Sequence, residues 1–236
     1  MNSPRIYAIH DQAITIEIGN EINEAINLEV LNLKQDFEAT PFEGFIECVP
    51  AYSSLTIYFD DNRTLEEIRK EIKSRLEKKN LSTNKSTLIE TTLGSTINIK
   101  PIIIPVCYDV EYGTDLNWLS NHLGLSIDEI ISLHTESFFR VYMMGFIPGF
   151  AYMGTLPEKL HAPRKQTPAQ QIPIGSVAIA GKQTGIYPAA VPGGWQIIGR
   201  TPHLMFDKKR NPCSLLKAGD AVQFKSISKK EFESAS

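Results

Sequence analysis

The chain has 236 residues, with 24 basic and 27 acidic side chains and a formal net charge of −3. A balance this close to neutral gives no electrostatic reason to bind nucleic acid or an anionic membrane, so we expect neither as a partner. The first residues lack the basic-then-apolar layout of a signal peptide, and no apolar run reaches the roughly 20 residues that span a bilayer. Cys48, Cys107 and Cys213 are too few and too far apart for a disulfide framework. We therefore expect a cytoplasmic protein with reduced cysteines.

The first hundred residues alternate between strand and helix patterns. Apolar side chains alternate within 6–10 and 13–18, which indicates a pair of strands. A helix capped by Asn20 is predicted next, because apolar residues then recur every three or four positions. Its apolar stripe consists of Ile22, Ile26, Val30, Leu33 and Phe37. Two more strands are predicted at 45–50 and 54–59.

A second amphipathic helix is predicted after a capping box made by Thr64 and Glu67. Its apolar face consists of Leu65, Ile68, Ile72 and Leu76. The polar stretch 80–87 is predicted to be a loop. In the extended stretch 96–108, Pro101 and Pro105 disfavour a central strand position. This order of elements is typical of an α+β layer with helices on one face of an antiparallel sheet.

The pattern changes after Tyr108. We expect one short helix from Thr114 to Gly124 and another after a capping box of Ser126 and Glu129. Between 145 and 202 lie nine of the 15 glycines and eight of the 14 prolines, separating short apolar runs. Strands are predicted at 176–180, 195–199 and 221–227. The spacing of these runs favours a β-rich barrel or sandwich with tight, rigid turns.

Common catalytic motifs are absent from the sequence. It contains no phosphate-binding loop, zinc-binding helix, nucleophile elbow or EF-hand loop. The five histidines show neither helical pairing nor a neighbouring cysteine, so we predict no metal site.

The stretch 183–202, QTGIYPAAVPGGWQIIGRTP, is the strongest candidate for a binding site. Its glycines permit close backbone approach and its prolines restrict φ, which together favour a stiff wall. The polar groups in that wall suit an amide or a carboxylate, and Arg200 is able to bind a carboxylate with two hydrogen bonds. The catalytic candidates are Gln183, Tyr187, Gln196 and Arg200. The substrate-binding candidates in this stretch are Thr184, Gly193, Gly194 and Thr201. The alternative is structural: Trp195 and Tyr187 are core aromatics and Arg200 pairs within the fold.

Two neighbouring stretches supply weaker candidates. In 138–157, Arg140 and Tyr152 flank a dense aromatic run that bends at glycines and a proline, a pattern equally typical of a buried strand and turn. In 162–175, Arg164 lies in a proline-rich segment, for which a solvated surface loop is the competing interpretation.

Five motifs follow one another along the C-terminal half: RVYMMGFIPGFAYMG, LHAPRKQTP, GSVAIAGKQTGIYP, PGGWQIIGRTP and LLKAGDAVQF. In these motifs the chain closely resembles the 5-oxoprolinase B subunit family, also called allophanate hydrolase subunit 1 and KipI. The resemblance covers roughly 100–228, and the N-terminal half agrees in element order. One position departs from the family pattern: Ala169 stands where relatives usually carry arginine.

The resemblance implies a fold and partners. We expect an α+β, mainly β protein with a small N-terminal α/β domain over 1–95, of the ferredoxin-like type. A cyclophilin-like β-barrel of the carboxyltransferase type is expected over 96–236. The implied partners are the A and C subunits of 5-oxoprolinase, of which the C subunit is of the KipA or allophanate hydrolase subunit 2 type.

The leading functional hypothesis is a subunit of an ATP-dependent 5-oxoprolinase, which opens 5-oxoproline to glutamate. ATP is then a co-substrate of the complex, and the chain is expected to be inactive alone because none of the candidates is an obvious nucleophile. Tyr142 is a weaker candidate for positioning substrate. His134 is a weaker acid or base candidate, with a satisfied helix terminus as the favoured alternative.

Two other functions follow from the resemblance. As a KipI-like inhibitor, the chain would dock on a sensor histidine kinase and block its autophosphorylation. Such docking needs an exposed apolar patch, for which the candidates are Phe146, Ile147, Phe150 and Met153. The third hypothesis is a carboxyltransferase subunit of the allophanate hydrolase or urea carboxylase type. It ranks lowest because the sequence shows no Ser-Ser-Lys amidase signature.

Overall fold

The structure is a computed structural model that describes residues 4–83 and 100–235. The chain divides into two compact units, with the boundary between Ile99 and Lys100. Among the helices within the described ranges, none combines the length and the apolar character that crossing a membrane requires.

The N-terminal unit is a four-stranded antiparallel sheet with two helices. Its elements are β1 (Arg5–His10), β2 (Ala13–Glu17), α1 (Glu24–Ala39), β3 (Phe45–Pro50), β4 (Ser54–Phe59) and α2 (Leu65–Thr83). The strands lie in the order β1-β2-β4-β3, and every neighbouring pair is antiparallel. This ββαββα element order is a circular permutation of the ferredoxin-like βαββαβ order. Apolar residues of both helices join one cluster with those of β2 and β4, so the helices cover the same face of the sheet.

The predicted start of α1 is wrong by three residues. Asn23, not Asn20, caps the helix, because its Oδ1 accepts hydrogen bonds from the backbone N–H groups of Ala25 and Ile26. Ile22 therefore precedes the helix and is exposed. The buried residues of the stripe are Val30, Leu33 and Phe37. Asn27 is buried beside them and donates to backbone oxygens of the loop between β3 and β4.

The predicted capping box at the start of α2 is confirmed. Glu67 accepts from the backbone N–H of Thr64, and the Thr64 hydroxyl accepts from the Glu67 N–H. The loop prediction over 80–87 is wrong for 80–83, which continue the helix, because those positions contain neither glycine nor proline. Positions 84–87 lie outside the described residues.

The C-terminal unit is a closed seven-stranded barrel with flanking helices. Its elements are β5 (Ile102–Cys107), α3 (Leu116–Leu123), α4 (Ile127–Thr135), β6 (Phe138–Met144), β7 (Ala151–Gly154), a 3₁₀ helix (Glu158–Leu160), β8 (Ala169–Ile172), β9 (Ser176–Ala180), β10 (Gln183–Ile186), β11 (Val191–Gly193), β12 (Gln196–Arg200), β13 (Ala221–Ile227) and α5 (Lys229–Ala235). The barrel order is β10-β7-β6-β13-β5-β12-β9, while β8 and β11 form a separate two-stranded sheet. The predicted α+β, mainly β class with a cyclophilin-like barrel is confirmed.

The prediction that Pro105 disfavours a central strand is wrong, because β5 has a neighbour on both sides. In the parallel ladder with β13, Pro105 lies opposite Lys225. On its other side β5 pairs with β12 at Cys107, so the missing N–H of Pro105 falls where that ladder makes no pair. The part of this predicted stretch at 96–99 lies outside the described residues.

The short helices agree with their sequence signals. Helix α3 begins two residues later than predicted and ends at Gly124, which has φ 67°. Helix α4 begins with the predicted capping box of Ser126 and Glu129. The apolar faces of these helices pack on the same core cluster as the barrel interior.

Candidate functional site

A cavity of about 280 Å³ lies beside the two-stranded sheet of β8 and β11. This volume is just below the range of typical small-molecule sites, which are roughly 300–1,000 Å³. The lining residues are Phe146, Phe150, Tyr152, Arg164, Pro168, Tyr187, Pro192, Gly193, Gly194 and Trp195. The lining thus combines four kinds of group: aromatic rings, one cation, two prolines and two glycines.

The aromatic wall of the cavity is built around Phe150. Its ring makes edge-to-face contacts with Tyr152, Tyr187 and Trp195, at centroid distances of 4.8, 5.4 and 5.6 Å. Phe150, Tyr187 and Trp195 are buried. Aromatic side chains packed edge-to-face in this way are rigid and apolar, so this wall is suited to pack against the face of a small ring in a ligand.

The polar groups of the cavity are two phenols and a guanidinium. The backbone N–H of Trp195 donates to the Tyr187 hydroxyl. Burial raises the pKa of both Tyr187 and Tyr152, and the positive charge of Arg164 opposes that rise in each. Both phenols are therefore protonated at neutral pH and able to donate a hydrogen bond, and Arg164 is close enough to act on both.

Gly193 is required by the position of Tyr187. A Cβ at residue 193 would lie 2.4 Å from the Tyr187 hydroxyl oxygen and 2.7 Å from Cδ1 of Ile172. The backbone of β11 thus approaches the phenol more closely than any other residue type allows. This is the close approach that the glycines of the 183–202 stretch predicted.

The segment that carries Arg164 is fixed on both sides of that residue. Before it, Nε2 of Gln196 donates to the backbone oxygen of Pro163 at 3.0 Å. After it, the N–H of Lys165 donates to the backbone oxygen of Gly194 at 2.7 Å. Nζ of Lys165 also pairs with Oδ2 of Asp115 at 2.7 Å. Arg164 is exposed, yet its backbone is held against the cavity.

Five of the residues predicted from the sequence line the cavity together: Tyr152, Arg164, Tyr187, Gly193 and Gly194. Gln196 is a sixth participant, because its buried amide reaches the backbone next to Arg164. Ala169, the position that departs from the family pattern, lies opposite Gly193 in the two-stranded sheet.

Gln183 and Arg200 lie at opposite ends of β9, which differs from the prediction that they belong to one binding wall. Gln183 is opposite Ala180, and Arg200 is opposite Ser176. Four residues along a strand correspond to roughly 13 Å. Nε of Arg200 donates to the backbone oxygen of Ile174 at 2.7 Å, and its guanidinium lies 6.0 Å from the ring centre of Phe232. These contacts are those of a structural arginine, the alternative given by the sequence.

Three further candidates also lie away from the cavity lining. The Thr184 hydroxyl is fully buried and donates to the backbone oxygen of Ala178 at 3.1 Å. The Thr201 hydroxyl is buried and accepts from the His203 N–H at 3.2 Å. Arg140 lies on β6, between neighbours on β7 and β13. Their positions follow from strand register, which the local sequence does not reveal.

His134 is a buried neutral residue of the barrel interior. Its Nε2 is 2.9 Å from the Thr184 hydroxyl and its Nδ1 is 2.7 Å from the Tyr108 hydroxyl. Since Thr184 donates onward to Ala178, Nε2 must be the donor and Nδ1 the acceptor. Burial lowers the pKa of His134 to about 3. These contacts support the satisfied histidine over the acid or base.

Several residues of the site were not predicted from the sequence. Phe146 and Phe150 were named only as part of a docking patch, although they lie in the candidate stretch 138–157, and Trp195 was named only in the structural alternative, as a core aromatic. Asp115, Pro168 and Pro192 were not singled out. A detectable signal was the pair of phenylalanines that bracket Pro148 and Gly149, because a tight turn brings such side chains together.

A second cavity, of about 380 Å³, lies on the N-terminal unit. It is shallow and is lined by Glu17, Gly19, Asn20, Glu21, Ile22, Tyr52, Ser53 and Ser54. Its carboxylates would repel an anionic ligand, so the aromatic cavity is the better candidate for a carboxylate. Over residues 4–83 and 100–235, no three His, Cys, Asp or Glu side chains are grouped so as to hold a metal ion.

A family model for the carboxyltransferase domain, subdomains C and D, matches residues 4–216. The 5-oxoprolinase B subunit of Bacillus subtilis (strain 168) is 42% identical over 228 residues, which cover 97% of this chain and 95% of that protein. The chain belongs to the 5-oxoprolinase B subunit family. As a member of this family it shares both units with its relatives, because the match extends across the boundary at Ile99.

Solved structures show the same fold. TTHA0988 is similar with a TM-score of 0.76 and 30% identity over 93% of this chain, which spans 40% of the length of TTHA0988. The urea carboxylase of Kluyveromyces lactis has a TM-score of 0.68 and 16% identity over 98% of this chain, which spans 22% of that protein. At that identity the likeness shows the fold alone.

Proposed function

We propose that this member of the 5-oxoprolinase B subunit family is one component of an ATP-dependent complex that opens 5-oxoproline to glutamate. The A and C subunits are the proposed companions, and ATP is the co-substrate of the assembled complex. The proposal is supported by the name of a relative that matches nearly the whole chain, and by a cavity of suitable chemistry.

The observation that carries the proposal is the convergence of Arg164, Tyr152 and Tyr187 on one aromatic-walled cavity. 5-Oxoproline is a small ring with a carboxylate and a lactam. Its carboxylate pairs with the Arg164 guanidinium, and its ring packs against Phe150 and Trp195. The protonated phenols then donate to the lactam oxygen.

Lactam opening breaks the bond between the carbonyl carbon and the ring nitrogen, and adds water across it. Negative charge grows on the carbonyl oxygen when the carbonyl carbon is attacked, before the ring nitrogen leaves, so donors fixed in a dry site lower the barrier. Tyr152 and Tyr187 supply such donors. The cavity lining contains no serine, cysteine, aspartate or glutamate, so the chain binds and orients the substrate while the companions complete the reaction.

The kinase-inhibitor alternative has weaker structural support. Its docking patch requires four apolar side chains on the surface, but Phe150 and Met153 are 2% and 0% exposed. Phe146 is 58% exposed and Ile147 is partly buried. Two of the four candidate residues are thus unable to contact a partner.

The test is glutamate release from 5-oxoproline and ATP by the chain assembled with the A and C subunits. We expect the complex to be active and the chain alone to be inactive. Arg164→Ala is expected to lower kcat/KM by roughly 100-fold, because it removes a charge-assisted hydrogen bond and the positive charge of the cavity.

Arg200→Ala is the matched control. It also removes an arginine side chain, but one at the end of β12 that is away from Gln196 and the cavity. We expect it to lower thermal stability and to retain kcat/KM within about threefold. Loss of activity in Arg200→Ala but not in Arg164→Ala would assign the carboxylate to Arg200 and reject the cavity. An inactive wild-type complex, together with inhibition of a histidine kinase by the chain alone, would reject the enzyme function.

A further inference from the structure

The connection between β6 and β7 contains a strained backbone turn. The N–H of Ile147 donates to the backbone oxygen of Gly145 at 2.8 Å, and Phe146 between them has φ 65°. A hydrogen bond between residues i and i+2 around a positive φ defines the rare form of the γ-turn. A bulky aromatic residue adopts this conformation only at a cost in conformational energy.

Neighbouring contacts hold the turn in place. The N–H of Phe150 donates to the oxygen of Ile147 at 3.1 Å, and Gly149 has φ 86°, which makes 147–150 a β-turn with proline at its second position. The N–H of Gly145 closes the connection by donating to the oxygen of Phe150 at 3.2 Å. A Cβ on Gly149 would lie 2.6 Å from Cβ of Phe206, so the turn is packed against the chain behind it.

The strained residue is also one of the residues that line the cavity. The Phe146 ring lies 5.6 Å from the Phe150 ring and 6.5 Å from the Tyr187 ring, with both pairs edge-to-face. It is nevertheless 58% exposed, which leaves much of the ring available for contact with a ligand. An exposed aromatic residue with a negative φ would need no hydrogen-bonded turns to hold its backbone in place. Strain of this kind persists where the surrounding structure enforces it, and ligand clamps are among the places where it clusters.

We propose that Phe146 is a specificity-determining residue of this cavity. The γ-turn directs its ring across the cavity, where it packs on the ring of the bound substrate and limits the size of ring admitted. This role rests on the proposed function, since the ligand is the five-membered lactam 5-oxoproline. The class of ligand that it excludes is the larger cyclic lactam that carries the same carboxylate.

The first experiment tests the strain on the full chain, without a ligand. Thermal unfolding of Phe146→Gly and Phe146→Ala is compared, because both lose the ring and only glycine relieves the positive φ. We expect the glycine variant to have the higher Tm. The matched control is Ile147→Gly against Ile147→Ala, one residue further along the same turn, where the alanine variant is expected to be the more stable. Alanine above glycine at both positions would contradict the strain.

The second experiment tests specificity on the assembled complex. It compares kcat/KM for 5-oxoproline and for 6-oxopiperidine-2-carboxylate, the six-membered lactam. We expect wild type to prefer 5-oxoproline, and Phe146→Ala to reduce this preference by about tenfold or more, the effect of one methylene in an apolar pocket. Phe146→Tyr retains the ring and is expected to retain the preference.

The outcomes separate the two proposals. An active wild-type complex whose preference is unchanged in Phe146→Ala overturns the role of Phe146 and leaves the proposed function intact. A wild-type complex that does not open 5-oxoproline overturns the proposed function and the specificity role with it. A reduced preference in both Phe146→Ala and Phe146→Tyr assigns the effect to disturbance of the turn, and so overturns the role of the ring.

Discussion

The barrel interior around His134 and the cavity around Tyr187 are built from the same kinds of residue. In the interior, His134 stacks on Phe224 at 4.3 Å, and both of its ring nitrogens are within hydrogen-bond distance of buried hydroxyls. In the cavity, Tyr187 packs edge-to-face on Phe150 and accepts one backbone N–H, while an exposed arginine lies close enough to alter its pKa. Both regions combine aromatic rings with polar groups. The two regions differ in what lies next to the polar groups.

The hydrogen-bond chain of the interior ends within the protein. It runs from Tyr108 through His134 and Thr184 to the backbone oxygen of Ala178. The polar groups of the cavity line a space that a ligand can fill. An aromatic and polar composition is therefore common to a stable core and to a binding site, and only the second needs an opening.

The largest expected effect is from Gly193→Ala, which tests the cavity side of this comparison. The added methyl group would overlap the Tyr187 hydroxyl, so the phenol must move. We expect kcat/KM of the assembled complex to fall by about 100-fold, the effect of a displacement of roughly 1 Å in a catalytic site. Gly194→Ala is the control for stability, because its Cβ would have no neighbour closer than 3.8 Å, and we expect an unchanged Tm. Normal activity in Gly193→Ala would remove Tyr187 from the site.

The next effect is the pH dependence of folding, which tests the interior. The pKa of His134 is about 3 in the folded chain, and an unfolded histidine has a pKa near 6.5. The unfolded state therefore binds the extra proton first as pH falls, and the free energy of unfolding decreases below pH 6.5. We expect His134 alone to contribute a slope that approaches about 1.4 kcal/mol per pH unit as pH falls from 6 to 4.5, measured by urea unfolding.

Other groups act in the same direction in part of this range. Burial also lowers the pKa of His203, so that residue adds to the slope. Glu67, Glu129 and Glu231 have pKa values lowered by hydrogen bonds at helix starts, and they add to the loss as pH falls through their ordinary range near 4.5. His134→Gln is expected to flatten the slope above pH 4.5 more than His203→Gln does. Equal slopes in wild type and His134→Gln would contradict the neutral interior histidine.

Thr184→Val separates the two regions directly. It leaves the Nε2–H of His134 buried without its acceptor, which is expected to cost roughly 1–3 kcal/mol of unfolding free energy. Because Thr184 is in the interior, kcat/KM per folded complex is expected to stay at the wild-type value. Thermal unfolding and glutamate release measure the two quantities. A stable variant with low activity would place Thr184 in the binding site, as predicted from the sequence.

The smallest expected effect is from Gln196→Leu. Gln196 lies on barrel strand β12 and contacts the segment that lines the cavity. The buried Gln196 amide holds the oxygen of Pro163, next to Arg164. Its loss is expected to raise KM about tenfold with a smaller effect on kcat, since Arg164 remains present and is less well positioned. Gln196→Met also removes the amide donor and keeps the length of the side chain without adding a charge, and we expect it to behave like Gln196→Leu. A wild-type KM in both variants would show that the amide has no part in placing Arg164.

Much of the fold was predictable because its signals are local. The capping boxes at Thr64 and Ser126 were found from residues three positions apart. Strand β13 was predicted with its observed bounds, since alternation and the preceding turn both lie within a few residues. The start of α1 was misplaced because Asn20 and Asn23 are both good caps, and which of them is used depends on how the chain leaves β2.

The candidate site was only partly predictable. The stretch 183–202 supplied Tyr187, Gly193 and Gly194, but it also supplied Arg200 and Thr184, which lie elsewhere in the barrel. Successive residues of a strand alternate between its two faces, so neighbours in sequence point to different surroundings. Arg164 was a weaker candidate on sequence grounds, yet it is the cation of the cavity.

The sequence by itself determined the α+β class, most helix and strand positions, the family, and the stiffness of the glycine- and proline-rich segments. These properties depend on periodicity and on backbone preferences, which act over a few residues. Only the tertiary structure decided which polar groups meet in one cavity, and that Phe146 lines it from a strained turn. Closure of the barrel brings together residues far apart in the chain, and the energy that holds them there comes from packing rather than from local preference.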